Sequence, residues 1–261
     1  MTNCYCAPAE LILEKINNCT FMLRLITDFD GPIIDVSERY YQVYHFCLDK
    51  VKREQQPVLR LSKAEFWQLK RSRVPEKQIG IISGLDEKQA YEFAQLRRKT
   101  VHTSPYFPHD QLIPGAVDAL ERVNRAGIDL AVLTMRRVKE LDYAVNRFKL
   151  GRFFPANRSY RLGNDYVKTR DIDEKPLLMA AALAELPPAS QTWMVGDTEA
   201  DIVAAKTHGL KAIGVLSGIR DRAALAAYNP DAIVADLSQA VDLVLHQARL
   251  PNPHLPIDLA S

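Results

Sequence analysis

Phe21-Met22-Leu23-Arg24-Leu25-Ile26, continuing as Thr27-Asp28-Phe29-Asp30-Gly31-Pro32, is an apolar run that ends in two carboxylates and a turn. The run reads as a β-strand. A strand directs alternate side chains to one face, so a strand ending here aims Asp28 and Asp30, or one carboxylate and a backbone carbonyl, into the same cavity. Two anions that close repel each other. Either one holds a proton at a raised pKa, or a hard cation such as Mg2+ sits between them. An ordinary strand-to-turn junction also accounts for these residues, because Asp and Gly are common turn formers.

Downstream of Pro114, helix-like and strand-like segments alternate as a parallel sheet requires. The expected fold class is α/β, a doubly wound parallel sheet. Pro114 suits the first turn of a helix to Asn124, with Val117, Leu120 and Val123 at helical spacing and Gly127 closing it. Ile128 to Leu133 reads as a strand ending at Thr134, and Val138 to Phe148 as a helix. Thr192 to Val195, ending at Gly196-Asp197, Ala212 to Leu216 and Ala232 to Val234 are further strands, short and apolar enough for a sheet covered on both faces. Residues 36–113 break the alternation, reading as helices with hardly a strand between them. Ser62 with Glu65 is a capping-box start, and Asp86 to Thr100 is a second amphipathic helix. The expectation is a core of residues 1–35 and 114–261 with an inserted all-helical cap domain of residues 36–113. Such an insert can fold over the strand ends as a lid and exclude water.

The chain's 261 residues can bury a substantial core, and 34 Lys and Arg against 32 Asp and Glu leave a formal charge of +2. No bulk field favours nucleic acid or an anionic membrane, so anion binding must be local. No apolar stretch is long enough to span a bilayer, and Met1 to Glu10 lacks a basic segment followed by an apolar one, which makes a cytoplasmic location the default. Cys4, Cys6, Cys19 and Cys47 have no downstream pair to complete a zinc site and read as reduced structural thiols. The segment from Leu250 to Pro256 reads as a loose tail.

Further polar residues fall where a parallel sheet would gather them beside Asp28 and Asp30. Thr134 follows Leu133, Lys175 precedes the helical Leu177 to Leu186, and Asp197 and Asp201 follow Met194-Val195. Ligands of open α/β sheets bind at these carboxyl ends. Singly, each has a plainer role as a helix cap, a solvated charge or a first-turn acid. In this order and at these junctions they match the four motifs of the haloacid dehalogenase-like (HAD) hydrolase superfamily, which the chain resembles from about Leu23 to Leu245. The helical insert resembles the cap of the phosphoglycolate phosphatase-like branch.

The resemblance implies Asp28 as the nucleophile, forming an aspartyl phosphate, and Asp30 as the acid and then the base. It implies Mg2+ held by the Asp28 carboxylate, the Asp30 carbonyl and the Asp197 carboxylate, with Asp201 bracing the site. Thr134 would donate to a phosphoryl oxygen and Lys175 would offset negative charge. Arg136, basic where the family often has a small polar residue, is either a candidate for reaching an anionic substrate or an ordinary solvated charge at a helix start. Pro32 departs from the family's usual threonine and removes a donor and a hydroxyl from the turn. Lys70-Arg71-Ser72-Arg73 with Lys77 either clamps a carboxylate or second phosphate or is an exposed basic helix end.

The function implied is a Mg2+-dependent phosphatase acting on a small phosphorylated metabolite, a phosphate monoester. A phosphomutase uses the same residues, and a weakly active regulatory protein on the same scaffold is the reading that Pro32 keeps open. Haloalkanoate dehalogenases of this superfamily lack the second aspartate, so Asp30 argues against carbon-halogen cleavage. Oligomeric state is not legible in the sequence.

Overall fold

The computed structural model describes residues 22–249. Cys4, Cys6, Cys19 and the tail from Leu250 lie outside them, and Cys47 is a buried free thiol. The strands in chain order are β1 (Leu23–Thr27), β2 (Ile34–Asp35), β3 (Gln111–Leu112), β4 (Asp129–Arg137), β5 (Ser159–Leu162), β6 (Gln191–Gly196), β7 (Lys211–Val215) and β8 (Ala232–Val234). Six of them form one sheet in the order β5-β4-β1-β6-β7-β8, every neighbour parallel. The doubly wound α/β expectation therefore holds. β1 lies between β4 and β6, and the three segments that leave these strands start side by side.

The period of two sorts the sheet's residues into two layers. Leu23 and Leu25 of β1, Leu130 and Val132 of β4, and Trp193 and Val195 of β6 join one apolar cluster. Ile26, Ala131, Leu133 and Met194 join the other. The first is covered by α5 (Ala116–Arg125), α6 (Val138–Arg147) and α10 (Leu237–Arg249), the second by α7 (Asp171–Glu185) and α8 (Glu199–Thr207), numbering onward from four helices in the insert. A short α9 (Arg222–Ala226) precedes β8.

The insert comprises α1 (Ser37–Val51), α2 (Lys63–Arg71), α3 (Glu76–Ile82) and α4 (Glu87–Thr100), followed by a 3-10 turn at Ser104–His109. It has its own core of Val43, Tyr44, Leu48, Phe66, Ile79 and Phe93. Both expected helix starts are capping boxes, Ser62 with Glu65 and Asp86 with Gln89. The insert begins and ends at one antiparallel pairing, Ile34 of β2 opposite Leu112 of β3.

Three boundaries differ from expectation. β4 runs through Thr134 to Arg137, its register against β5 shifting between Leu133 and Arg137, because Arg136 is buried with ionic partners rather than solvated at a helix start. α5 starts at Ala116, since Gly115 in the left-handed region, at φ 77, is its N-cap. α7 starts at Asp171, so Lys175 and Pro176 stand inside it, with three acids in the first turn facing the positive helix end. Among the described residues no helix is long and apolar enough to cross a membrane.

Candidate active site

β1 delivers Asp28 to the carboxyl end of the sheet. Its amide donates to the Val195 carbonyl at 2.8 Å, extending the ladder one residue past the strand. By alternation Asp28 lies on the side of Ile26, and that is the side α7 and α8 cover. α7 brings Lys175 to it, with Nζ 2.7 Å from Asp28 Oδ2 and 2.5 Å from Asp201 Oδ1. Asp28 Oδ1 accepts the Phe29 N–H at 2.6 Å, so both carboxylate oxygens are held.

Asp197 closes the triangle from the end of β6. Carboxylate oxygens of Asp28, Asp197 and Asp201 lie within 4.8 Å of one another, all three residues buried. Burial, with Asp201 and Asp30 nearby, pushes the Asp28 carboxyl up to about 7 against the opposing pull of Lys175. Asp197 is raised well above its usual range by burial and by the carboxylates of Asp201 and Asp28. Those same carboxylates outweigh burial at Lys175 and keep it protonated. Three buried carboxylates against one ammonium leave negative charge uncompensated, and an all-oxygen donor set of this kind suits a hard divalent cation such as Mg2+.

Glycines make this crowding sterically feasible. A Cβ at Gly31, whose φ is 90, or at Gly218 would overlap the Asp197 carboxylate, and one at Gly196 would overlap that of Asp201. The Asp197 Oδ2 accepts the Ile219 N–H at 2.6 Å. Asp201 stands behind the pocket wall, where its Oδ2 accepts the Thr198 N–H and hydroxyl and caps α8. First-turn acid and candidate site residue are thus the same group. The turn at Pro32 closes through the N–H groups of Gly31, Ile33 and Ile34, so it forms without a donor at that position.

Asp30 has a different environment. Arg136 Nε donates to its Oδ1 at 2.8 Å and Arg39 Nη2 to its Oδ2 at 3.3 Å, while Arg136 Nη2 also reaches Asp110 Oδ2 at 2.6 Å. Arg39 Nε lies 2.9 Å from Asp110 Oδ1, closing a tetrad of two arginines and two aspartates in which only Asp30 is partly exposed. Burial alone would raise the Asp30 carboxyl, but the two guanidinium groups outweigh it and hold it below its usual value. Arg136, 1% exposed, is occupied by Asp30 and Asp110 and stacks its guanidinium over Phe29.

Asp28, Asp30, Thr134, Arg136, Lys175 and Asp197 all line one pocket of about 120 Å3. The Thr134 hydroxyl accepts the Arg136 N–H at 3.2 Å. The sequence reading missed Arg39, Asp110, Tyr40 and His102, all from the insert or its end. Arg39 alone left a trace, as a charge between Val36 and Val43 on the buried face of α1. The basic cluster divides. Arg71 donates to the carbonyls of Leu216 and Gly218, and Ser72 and Arg73 reach Asp221 and Tyr228, while Lys70 pairs with Glu76 inside the insert.

Comparison with known proteins agrees with this geometry. The HAD-hydrolase-like family model matches residues 174–240, the stretch carrying Lys175, Asp197 and Asp201. A phosphoglycolate phosphatase of Pseudomonas fluorescens is 27% identical over 128 residues, 49% of this chain and 45% of that protein. The chain thus spans about half the length of the phosphoglycolate phosphatases it matches first. Pyrophosphatase PpaX of Bacillus velezensis is 25% identical over 227 residues, covering 84% of this chain and 94% of that protein. A haloacid dehalogenase-like family hydrolase from Streptococcus pneumoniae shares the fold, with a TM-score of 0.62 at 18% identity over 86% of this chain and 99% of that one. The order of its motifs, the strands that carry them and these relatives agree in likening the chain to haloacid dehalogenase-like hydrolases, and among them to the phosphoglycolate phosphatases.

Proposed function

We propose that the protein is a Mg2+-dependent phosphatase in which residues 36–113 act as a cap domain over a core of residues 1–35 and 114–261. The observation that carries this reading is convergence: Asp28, Thr134, Lys175 and Asp197 come from four separate segments and face one small pocket at the carboxyl ends of the strands. Asp28 attacks phosphorus in line, a P–O bond forms to its carboxylate and the bond to the leaving oxygen breaks. Asp30 gives a proton to the leaving oxygen, then takes one from the water that cleaves the aspartyl phosphate. Lys175 and the Thr134 hydroxyl stabilise the transferring group, and Arg136 acts by fixing Asp30 rather than by touching substrate. Mg2+, held by the Asp28 and Asp197 carboxylates and the Asp30 carbonyl with Asp201 behind them, would offset the charge of phosphoryl group and nucleophile.

The substrate class in this reading is a small phosphorylated metabolite. Turnover of an aryl phosphate by purified protein, with and without Mg2+, is the test. Activity that depends on Mg2+ and disappears in Asp28→Asn is expected, and equal turnover by wild type and variant refutes the proposal.

One observation favours a second reading, cleavage of a phosphoanhydride, the activity named for the PpaX relative. Asp30 is held low by Arg136 and Arg39, so its protonated form is scarce and it seldom has a proton to give to a basic alkoxide. Leaving groups of low basicity, such as phenolates or phosphate, need that proton least. A series of substituted phenyl phosphates should show kcat/KM rising steeply as the phenol pKa falls; a flat series removes this reading.

A further inference from the structure

Beside the small pocket, between the insert and the strand ends, lies a cleft of about 990 Å3. Tyr40, His102, Lys168 and Ile219 line both spaces, so the two are continuous. Eight Lys and Arg side chains line the cleft against a single carboxylate, Glu76. Several of these cations are already partnered: Arg220 by Glu199, Lys168 by Asp171 and Arg137 by Glu140. Lys70 and Arg97 differ, because both converge on the one oxygen Glu76 Oε1.

Arg97 carries the argument. Its side chain is 4% exposed, its Nη1 is 2.5 Å from Glu76, and its Nε and Nη2 are buried with no hydrogen-bond partner. Buried donors without partners are costly, and such a pair calls for an acceptor. Nε and Nη2 lie on the same edge of the guanidinium, the fork that grips two oxygens of one oxyanion. The group is held in place over the Tyr40 ring, 4.7 Å from its centroid, and Tyr40 packs edge-on against Trp67. Burial and the positive charges of Arg97 and Arg220 press the Lys70 ammonium down to about 8 although Glu76 opposes them, so positive charge is in surplus here.

We propose that this cleft is a second anion subsite, in which Arg97 and Lys70 hold a further phosphoryl group of a substrate whose reacting phosphoryl group occupies the small pocket. The identification of that ligand as substrate rests on the phosphatase reading. The pocket around Asp28 opens past Tyr40 into this cationic space, which can receive the rest of a substrate. A bisphosphorylated compound satisfies both ends. A substrate with a neutral tail leaves the Arg97 fork bare.

Non-hydrolysable phosphonates test the subsite without requiring turnover. Full-length protein with Mg2+ is titrated calorimetrically with linear alkylphosphonates, ω-carboxyalkylphosphonates and α,ω-bisphosphonates of three to six methylenes, and the same compounds are used as inhibitors of aryl phosphate hydrolysis. The best bisphosphonate should bind at least about tenfold more tightly than the alkylphosphonate of equal length. That ratio should fall towards one in Arg97→Gln and in the more exposed Lys70→Gln, and recover in part in Arg97→Lys. Equal binding of all three classes, or a ratio unchanged in both Gln variants, overturns the proposal. A carboxylate series that binds as well as the bisphosphonates overturns its assignment to a phosphoryl group. Absence of aryl phosphate turnover with the binding ratio intact counts against the phosphatase reading and leaves the subsite standing.

Discussion

A methyl group at Gly218 would occupy the space of the Asp197 carboxylate, whereas a Cβ at Gly163 meets nothing within 4 Å. Gly218→Ala should therefore lower turnover about 10²-fold by displacing Asp197, with Gly163→Ala near wild type in the same assay. Arg136→Met should destabilise the protein by about 3 kcal/mol or more in urea denaturation, because Asp110 is left buried with one cation fewer. Asp28, Thr134, Lys175, Asp197 and Asp201 were legible as site candidates because each sits in a local motif at a strand or helix boundary. Arg136 was read as a substrate contact or a solvated charge at a helix start, and nothing local shows that Asp110, 26 positions upstream, will meet it. Asp110 and His102 had no sequence trace at all, since their significance exists only in the folded contact.

Elements were most legible where short-range chemistry decides them. The capping boxes at Ser62 and Asp86 start α2 and α4 as expected, and the apolar runs after Gln191, Lys211 and Asp231 are β6, β7 and β8. β5 went unread because Ser159–Leu162 alternates buried and half-buried residues across only four positions. The end of α2 makes a prediction of its own. Arg71 donates from the insert to the Leu216 and Gly218 carbonyls of the core, and the Arg71 carbonyl accepts the Asp221 N–H at 3.2 Å. Arg71→Ala should raise KM more than it lowers kcat and should speed amide exchange in α2, as a contact of about 1–3 kcal/mol between insert and core is lost. Unchanged exchange would mean the insert is held elsewhere.

For the molecule as a whole, the excess of buried carboxylate sets how stability responds to pH and metal. The Asp28 carboxyl is raised in the fold to about 7 from an ordinary 3.8, so the folded state binds more protons than the unfolded state between those values. Its contribution therefore disfavours the fold as pH rises from about 4 to about 7. In EDTA, Asp28→Asn should flatten the decline of Tm over pH 5 to 7 relative to wild type, and Mg2+ should raise the wild-type Tm more at pH 8 than at pH 5. A Tm indifferent to Mg2+ at both pH values would show that the carboxylate cluster binds no such cation. The pairing of Ile34 with Leu112 has a consequence of another kind. Because the polypeptide leaves and re-enters the sheet domain through adjacent residues, the whole insert is topologically a loop, and loop-closure entropy grows only with the logarithm of length. Enlarging a ten-residue connection to this one adds only about 2 kcal/mol, so helical inserts of quite different size can be grafted at that pairing with little change in the folding of the sheet.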